Sequence, residues 1–252
     1  MSQIISLKVE FLKKVFPLDK NVTSRDSFTK NKNLMQFRME EDDFKILSWI
    51  YQSKQPLHHL EIGTWKGFGA KLALQNSSAT VWTVNPWEGE TKMDGGFAYS
   101  ESVKKTPTQK AWWKILSKGK QENSATIQTD AGNQIGHLYR EAQLGGRVCQ
   151  IYSDSRQWDT SNYPAGFFDS VLIDGSHEPE MVVHDTRKTT PLLRSGGIML
   201  WHDYCPDPEV IQTMSSVRGV TRGIEMLDAY LKDHFSACFW INPCWLLVVI
   251  KK

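Results

Sequence analysis

Short apolar runs alternate with amphipathic stretches along the chain, and this pattern predicts strands that alternate with helices. Seven strands are predicted, at residues 57–62, 80–84, 148–152, 167–173, 197–201, 235–241 and 245–250. Helices are predicted at residues 3–16, 40–54, 133–144, 178–193 and 221–232, and one more opens at Ala70. Elements in this order predict an α/β fold, whose last two strands form a hairpin through Asn242-Pro243.

Residues 57–74 join the first of these strands to a helix through a glycine-rich turn. Such a turn lets a ligand approach backbone N–H groups at the carboxyl end of a strand, because glycine has no side chain to block it. The spacing is Glu61-x-Gly63-x-x-x-Gly67-x-Gly69, which differs from the G-x-G-x-x-G of dinucleotide-binding proteins. An acidic residue two positions before the first glycine suits a cationic, nucleotide-like cofactor.

The 252 residues suffice for one large α/β domain with a substantial core. We expect this domain at residues 55–252, preceded by an N-terminal helical extension or lid at residues 1–54. Residues 86–129 are longer than a crossover between strands requires. They are expected to form an insertion over the site that shapes the choice of substrate.

Charge and cysteine content narrow the class of protein. A net charge of +2 with scattered lysines disfavours a nucleic-acid substrate, and no segment approaches a membrane-spanning length. The N-terminus lacks the unbroken apolar run of a signal peptide. The four cysteines form no C-x-x-C pair, and Cys149 and Cys238 fall in predicted strands, which favours buried free thiols. We therefore expect a cytoplasmic protein whose partner is a small molecule, with a homo-oligomer left open.

Two motifs resemble those of class I S-adenosylmethionine-dependent methyltransferases. Residues 61–70 resemble the E-[LI]-G-x-x-x-G-[YF]-x-A motif of the catechol-type O-methyltransferases. Residues 171–204 (VLIDGSHEPEMVVHDTRKTTPLLRSGGIMLWHDY) resemble the D-G-S-H, L-x-x-G-G and H-D block of bacterial methyltransferases from sugar and natural-product pathways. The resemblance covers roughly residues 55–252. It implies a Rossmann-like, doubly wound, seven-stranded sheet, mostly parallel with an antiparallel final strand, and N-terminal helices beside it.

The resemblance also implies where the cofactor is held. Asn85 stands where the family has an acidic residue on the ribose, and an amide accepts such a bond without charge assistance. Asp154 and Ser155 stand where related enzymes hydrogen-bond the adenine, while the alternative that they only cap a turn has equal weight. The residues expected to bind S-adenosylmethionine are Glu61, Gly63, Thr64, Gly67, Asn85, Trp87, Asp154, Ser155 and Asp174.

Activation of the methyl acceptor has two candidate routes. Asp174 ends the fourth predicted strand and His202-Asp203 end the fifth, so neighbouring parallel strands bring all three to one edge of the sheet. In catechol-type enzymes the matching positions hold Mg²⁺, but an imidazole at position 202 favours Mn²⁺ or Fe²⁺, or no ion. His177 stands where those enzymes place a base, and His202 takes that role if no metal binds.

The expected function is S-adenosylmethionine-dependent O-methylation of a small molecule, a sugar or natural-product intermediate, assisted by a divalent cation. A metal-independent N-methyltransferase stays open, because an amine acceptor needs no metal. A non-catalytic cofactor-binding protein stays open as well, because Asn85 lacks the charge of the usual ribose contact. A third alternative is an oxidative enzyme that holds iron through Asp, His and Asp.

Overall fold

The computed structural model describes residues 4–18, 43–86 and 135–252. Eight strands within these ranges form one sheet: β1 Ile5–Lys8, β2 His58–Ile62, β3 Thr80–Asn85, β4 Val148–Tyr152, β5 Phe168–Ile173, β6 Leu193–Trp201, β7 Phe235–Asn242 and β8 Leu247–Lys251. The α-helices of the same ranges are α1 Leu12–Val15, α2 Phe44–Lys54, α3 Phe68–Asn76, α4 His137–Glu141, α5 Pro179–Thr189, α6 Pro208–Thr213, α7 Ser215–Met226 and α8 Asp228–His234. The predicted α/β class is confirmed.

The strands follow the order β4-β3-β2-β5-β6-β8-β7-β1 across the sheet. Most neighbours are parallel, whereas β8 runs antiparallel to both β6 and β7. The predicted antiparallel final strand is therefore confirmed. β3 and then β4 lie on one side of β2, whereas β5 pairs with the other side of β2. Such a change of direction opens a crevice at the carboxyl ends of the central strands, where open α/β sheets bind ligands.

Helices cover both faces of the sheet. On one face α2 buries Leu47 and Ile50 in the core. On the other face α5 and α7 bury Val182, Val220 and Ile224. Each fully buried side chain of this size stabilises the fold by roughly 1.5–3 kcal/mol. None of the described helices combines the length and the apolar character needed to cross a membrane.

The N-terminal segment differs from its prediction. The pattern predicts a helix over residues 3–16, but Ile5–Lys8 form β1, which pairs in parallel with β7. Only two short turns follow, the 3₁₀ turn Val9–Phe11 and the α-helical turn α1. Pairing with the edge of β7 gives the backbone of residues 5–8 its hydrogen-bond partners. This tertiary pairing outweighs the weak local preference of these residues for a helix. The helix prediction is wrong here, and the described residues contribute eight strands to the sheet instead of the predicted seven.

The C-terminal helices also differ from the single helix predicted at residues 221–232. The structure has α7 and α8, which are separated at Leu227, and α6 ahead of them. Glycine lowers helix propensity, so Gly219 hides the true start of α7 in the sequence pattern. In the fold Gly219 and Gly223 let α7 pack closely. A Cβ at Gly219 would lie 1.9 Å from the backbone oxygen of His177.

The cysteines are free thiols, as predicted. Cys205, Cys238 and Cys244 are buried, whereas Cys149 is exposed. Cys149 lies on β4, which borders the sheet on one side and has no further strand beyond it among the described residues. The prediction of a buried thiol is therefore wrong for Cys149, because an edge strand is covered less than a central one.

Candidate active site

The turn after β2 depends on two glycines that adopt positive φ, Gly63 at 97° and Gly67 at 86°. A Cβ at Gly63 would lie 2.1 Å from the backbone oxygen of Asp174, and a Cβ at Gly67 would lie 2.7 Å from Cδ1 of Tyr139. A side chain at either position would be both strained and in collision with its neighbours. The glycine turn therefore lies directly against the loop that follows β5.

Glu61 lies beneath this turn and is only 1% exposed. The Thr83 hydroxyl donates to its Oε2 at 2.9 Å, and the same hydroxyl lies 2.6 Å from that of Thr64. Burial raises the pKa of Glu61 to about 8. A Cβ at Gly69 would lie 2.1 Å from Oε1 of Glu61, so this glycine leaves the space that the acid occupies. Glu61 thus supports the turn from below and supplies a negative charge whenever a nearby cation favours its ionisation.

Asn85, at the end of β3, is fully buried. Its Oδ1 accepts hydrogen bonds from the backbone N–H groups of Thr64 at 3.0 Å and Trp65 at 3.1 Å, and its Nδ2 donates to the backbone oxygen of Pro86. Asn85 therefore ties the glycine turn to β3, and its contact with a ribose stays a prediction. Trp87 lies outside the described residues, as does the insertion after Pro86.

A cleft opens at the carboxyl ends of β2, β3, β4 and β5, beside the glycine turn. Its free volume is about 270 Å³, part of which is open to solvent. It is lined by Ile62, Gly63, Val84, Pro86, Ser153, Ser155, Gly175, Ser176 and Asp185. This position matches the crevice expected from the strand order.

Asp154 and Ser155 were predicted together, but their contacts in the structure differ. The backbone N–H of Arg156 donates to Oδ1 of Asp154 at 2.8 Å, and the guanidinium of Arg156 also contacts this carboxylate. Asp154 therefore caps its turn. Ser155 lines the cleft, and a contact of either residue with an adenine stays a prediction.

Asp185 lines the same cleft, although the sequence assigned it no role. It lies on α5, is 2% exposed, and its Oδ1 lies 3.1 Å from Nδ1 of His184. The sequence does contain a signal that Asp185 is buried. Asp185 follows the buried Met181 and Val182 by four and three positions, which places an acidic residue on the apolar face of a helix.

His202 is held between two carboxylates at the end of β6. Its Nε2 lies 3.0 Å from Oδ2 of Asp43, and its Nδ1 lies 3.3 Å from Oδ1 of Asp174. Burial lowers the pKa of His202, but the charges of Asp174 and Asp203 and the two hydrogen bonds outweigh burial and hold this pKa well above its usual value. These contacts occupy both ring nitrogens, and the roles of His202 as metal ligand and base stay predictions.

Asp174, His177 and Asp203 form a cluster that can hold a metal ion, called the acidic cluster below. One ligand atom of each lies within 4.8 Å of the others. His177 Nε2 lies 2.9 Å from Oδ2 of Asp203. Burial lowers the pKa of His177, but the hydrogen bond and the charge of Asp203 raise this pKa by more than burial lowers it. The pKa of His177 therefore lies above its usual value. His202 lies beside the same two carboxylates, since its Nδ1 is 3.3 Å from Oδ1 of Asp174 and 3.7 Å from Oδ1 of Asp203. The structure thus brings both histidines to Asp174 and Asp203.

Asp43 is a residue of the site that the sequence pattern does not reveal. It precedes α2 at the end of an acidic run, which suggests a solvated first turn, yet it is fully buried. Its Oδ2 contacts His202, and its Oδ1 accepts from the backbone N–H of Trp245 at 3.4 Å. Its histidine partner is 159 positions away in the sequence, so no local spacing could have identified the pair.

Comparison with known proteins identifies a family for the part of the chain that contains the glycine turn and the acidic cluster. Residues 60–204 match the model of a family described as a methyltransferase domain. No curated protein matches the chain significantly. An O-methyltransferase from Bacillus cereus in complex with SAH is 18% identical, with a TM-score of 0.51 over 87% of this chain and 85% of that chain. A Klebsiella pneumoniae protein proposed to be an O-methyltransferase is 15% identical, with a TM-score of 0.51 over 96% of this chain and 95% of that chain. These two likenesses establish the fold.

Proposed function

The chain belongs to the methyltransferase-domain family of class I, S-adenosylmethionine-dependent enzymes, and from this premise we propose that it methylates a hydroxyl group of a small molecule. One observation carries the proposal. The glycine turn and the acidic cluster are contiguous, since the Gly63 backbone lies against Asp174 and leaves no room for a Cβ. A methyl donor in the cleft and an acceptor at Asp174, His177 and Asp203 would therefore meet.

The cleft suits the cofactor in polarity. Ser155, Ser176 and Asp185 line it and offer hydrogen bonds to an adenosine. Glu61 lies below the same turn, and a sulfonium above it would favour its ionisation, so that the carboxylate would balance the positive charge. Bound S-adenosylmethionine supplies an electrophilic methyl group on that sulfonium.

The donor set of the acidic cluster fits a divalent ion. Asp174, His177 and Asp203 offer two carboxylates and one imidazole, a combination that suits Mn²⁺ or Fe²⁺ better than the oxygen-preferring Mg²⁺. Such an ion supplies a Lewis acid that lowers the pKa of an acceptor hydroxyl. His202 lies behind Asp174 and orients it in our proposal.

The transfer needs the acceptor oxygen in line with the carbon–sulfur bond. A carbon–oxygen bond forms as the carbon–sulfur bond breaks, the electron pair of the broken bond goes to sulfur, and S-adenosylhomocysteine is left. Asp174, His177 and Asp203 would hold an ion that would acidify the acceptor hydroxyl, and its proton would then pass to solvent. In a metal-free route His177 accepts this proton, oriented by its 2.9 Å contact with Asp203.

The experiment that tests this function is calorimetric titration of S-adenosylmethionine into chelator-treated protein, alone and with Mn²⁺, Fe²⁺ or Mg²⁺. A panel of hydroxylated sugars and phenols is then assayed for formation of S-adenosylhomocysteine. We expect the cofactor to bind in each case and turnover to need Mn²⁺ or Fe²⁺. Absence of cofactor binding in every condition would contradict the proposal.

Two variants separate the routes of activation. Asp174→Ala removes one ligand of the ion and leaves the His177–Asp203 pair in place. His177→Ala removes both the ligand and the base. Loss of turnover in both variants, with cofactor binding retained, supports the metal-assisted route. Turnover that survives chelation and Asp174→Ala, but not His177→Ala, assigns the proton to His177 instead.

A further inference from the structure

Asp43 reaches the active site from outside residues 60–204, the part of the chain that the family model matches. Both of its carboxylate oxygens are engaged, Oδ2 with Nε2 of His202 at 3.0 Å and Oδ1 with the backbone N–H of Trp245. The residue is fully buried, so solvent cannot replace either contact. A buried carboxylate with charged and backbone partners is placed much more firmly than one at a surface.

Capping of α2 does not explain the position of Asp43. Its backbone is already helical, with φ −64° and ψ −31°, and its side chain accepts no hydrogen bond from the first turn of α2. The carboxylate points instead across the fold to the end of β6. Its placement therefore serves the contact with His202, or the contact with Trp245, or both.

The ring of His202, which Asp43 holds in place, also contacts the acidic cluster. With Nε2 held by Asp43, Nδ1 lies 3.3 Å from Oδ1 of Asp174. The ring is only 7% exposed, so it has little freedom to turn away. Hydrogen bonds to a ligating carboxylate orient it, and their removal typically weakens metal binding by about 10- to 100-fold.

We propose that Asp43 is a positioning residue of the acidic cluster, which acts through His202 to orient Asp174 as an ion ligand. This inference rests on the metal-assisted function proposed above. It gives the segment ahead of the family-matched residues a part in forming the active site.

The test compares Asp43→Ala and Asp43→Asn with the wild-type chain in calorimetric titrations of Mn²⁺ and, separately, of S-adenosylhomocysteine. Asp43→Ala is expected to weaken Mn²⁺ binding by about 10- to 100-fold and to leave S-adenosylhomocysteine binding unchanged. Asp43→Asn is expected to restore part of the loss, because an amide oxygen can still accept from Nε2 of His202. A purely structural role at Trp245 would not produce this separation of the two affinities.

Asp169→Asn is the matched control. The Asp169 carboxylate accepts from the backbone N–H groups of Leu57 and His58, both at 2.8 Å, and pairs with Arg194. These contacts lie at the opposite end of β2 from the cluster. Asp169→Asn is expected to lower the unfolding temperature without a change in Mn²⁺ affinity.

Three outcomes overturn the inference. Equal Mn²⁺ affinity in the wild type and Asp43→Ala would remove the role of Asp43 and leave the metal-assisted function standing. A loss that Asp169→Asn reproduces, or that extends equally to S-adenosylhomocysteine, would show general destabilisation. A wild-type chain that binds S-adenosylhomocysteine but no Mn²⁺ would overturn the metal-assisted function, and the role of Asp43 with it.

Discussion

Glu61 and His202 are both buried ionisable side chains, yet burial and neighbouring groups shift their pKa values in different ways. Burial raises the pKa of Glu61 to about 8, although the hydrogen bond from the Thr83 hydroxyl opposes this shift. Burial lowers the pKa of His202, but the charges of Asp174 and Asp203 and the hydrogen bonds to Asp174 and Asp43 outweigh burial and hold this pKa well above its usual value. The pKa of a buried group therefore depends on its burial and on its contacts together, and changes to those contacts should have measurable effects.

Glu61→Gln should change the pH dependence of stability. The pKa of Glu61 is about 8 in the fold against a usual value of 4.5, so ionisation favours the unfolded chain, and its contribution to stability falls as pH rises from about 4.5 to about 8. Glutamine does not ionise. The free energy of unfolding of the variant, relative to the wild type, should rise across this window by up to about 1.4 kcal/mol per pH unit. Urea unfolding at pH 5, 6.5 and 8 measures this, and a constant difference would contradict it.

Asp185→Ala should weaken cofactor binding. The Asp185 carboxylate lines the cleft beside Ser155 and Ser176, where it can accept from an amino group or hydroxyl of an adenosine. A hydrogen bond to a charged group contributes roughly 1.5–3 kcal/mol, so affinity for S-adenosylhomocysteine should fall by roughly 10- to 100-fold. Titration calorimetry measures this. Asp159→Ala, at an exposed acid of a nearby turn, should leave affinity unchanged. Equal affinities in all three proteins would exclude Asp185 from the cofactor site.

Individual site residues were predictable where a motif or a strand end marks them. Asp174, His177 and Asp203 follow β5 and β6, and parallel strands carry their carboxyl ends to one edge. Asp43 was not predictable, because its burial depends on a contact with a distant strand end. The contacts of His177 and His202 were not predictable either, since they depend on which ring nitrogen faces which carboxylate.

Strands were predicted from the sequence more reliably than helix ends. The prediction at residues 148–152 coincides with β4, because a β-branched and apolar run is bounded by glycine and serine. β6 begins at Leu193 instead of residue 197, because the Ser195-Gly196-Gly197 stretch has the composition of a turn but stays in the strand. β1 was missed because its partner β7 is remote in sequence. Tertiary contacts decided each of the misread boundaries.

Gly219→Ala should destabilise the fold, although alanine normally favours a helix over glycine by about 1 kcal/mol. A Cβ at Gly219 would lie 1.9 Å from the backbone oxygen of His177, so α7 or the loop that carries His177 must move. Overpacking of this kind typically costs 1–3 kcal/mol, about the range expected here. Urea unfolding measures it. Gly146→Ala is the control, since the described residues, apart from its chain neighbours, place no atom within 4 Å of the added Cβ. Stabilisation by Gly219→Ala would contradict the packing of α7 against this loop.

The first residues of the chain are joined to its last strands across the whole molecule. β1 pairs with β7, and Leu12 and Phe16 behind it are fully buried in the core that also contains Leu47 and Ile50 of α2. Trp49 of α2 donates through Nε1 to the backbone oxygen of Phe16 at 2.8 Å. These contacts make residues 4–16 part of the structural core, and the role of residues 1–54 as a lid stays a prediction.

Phe16→Ala distinguishes a structural segment from a lid. Removal of a fully buried phenylalanine side chain typically costs about 3–5 kcal/mol. The cleft is lined by residues from 62 onward, so affinity for S-adenosylhomocysteine should be unchanged at temperatures where the variant stays folded. Phe11→Ala is the control in the same segment, because Phe11 is 42% exposed and its loss should change stability by less than about 0.5 kcal/mol. Weaker cofactor binding without loss of stability in Phe16→Ala would instead support a lid, because a lid contributes to the bound state and not to the fold.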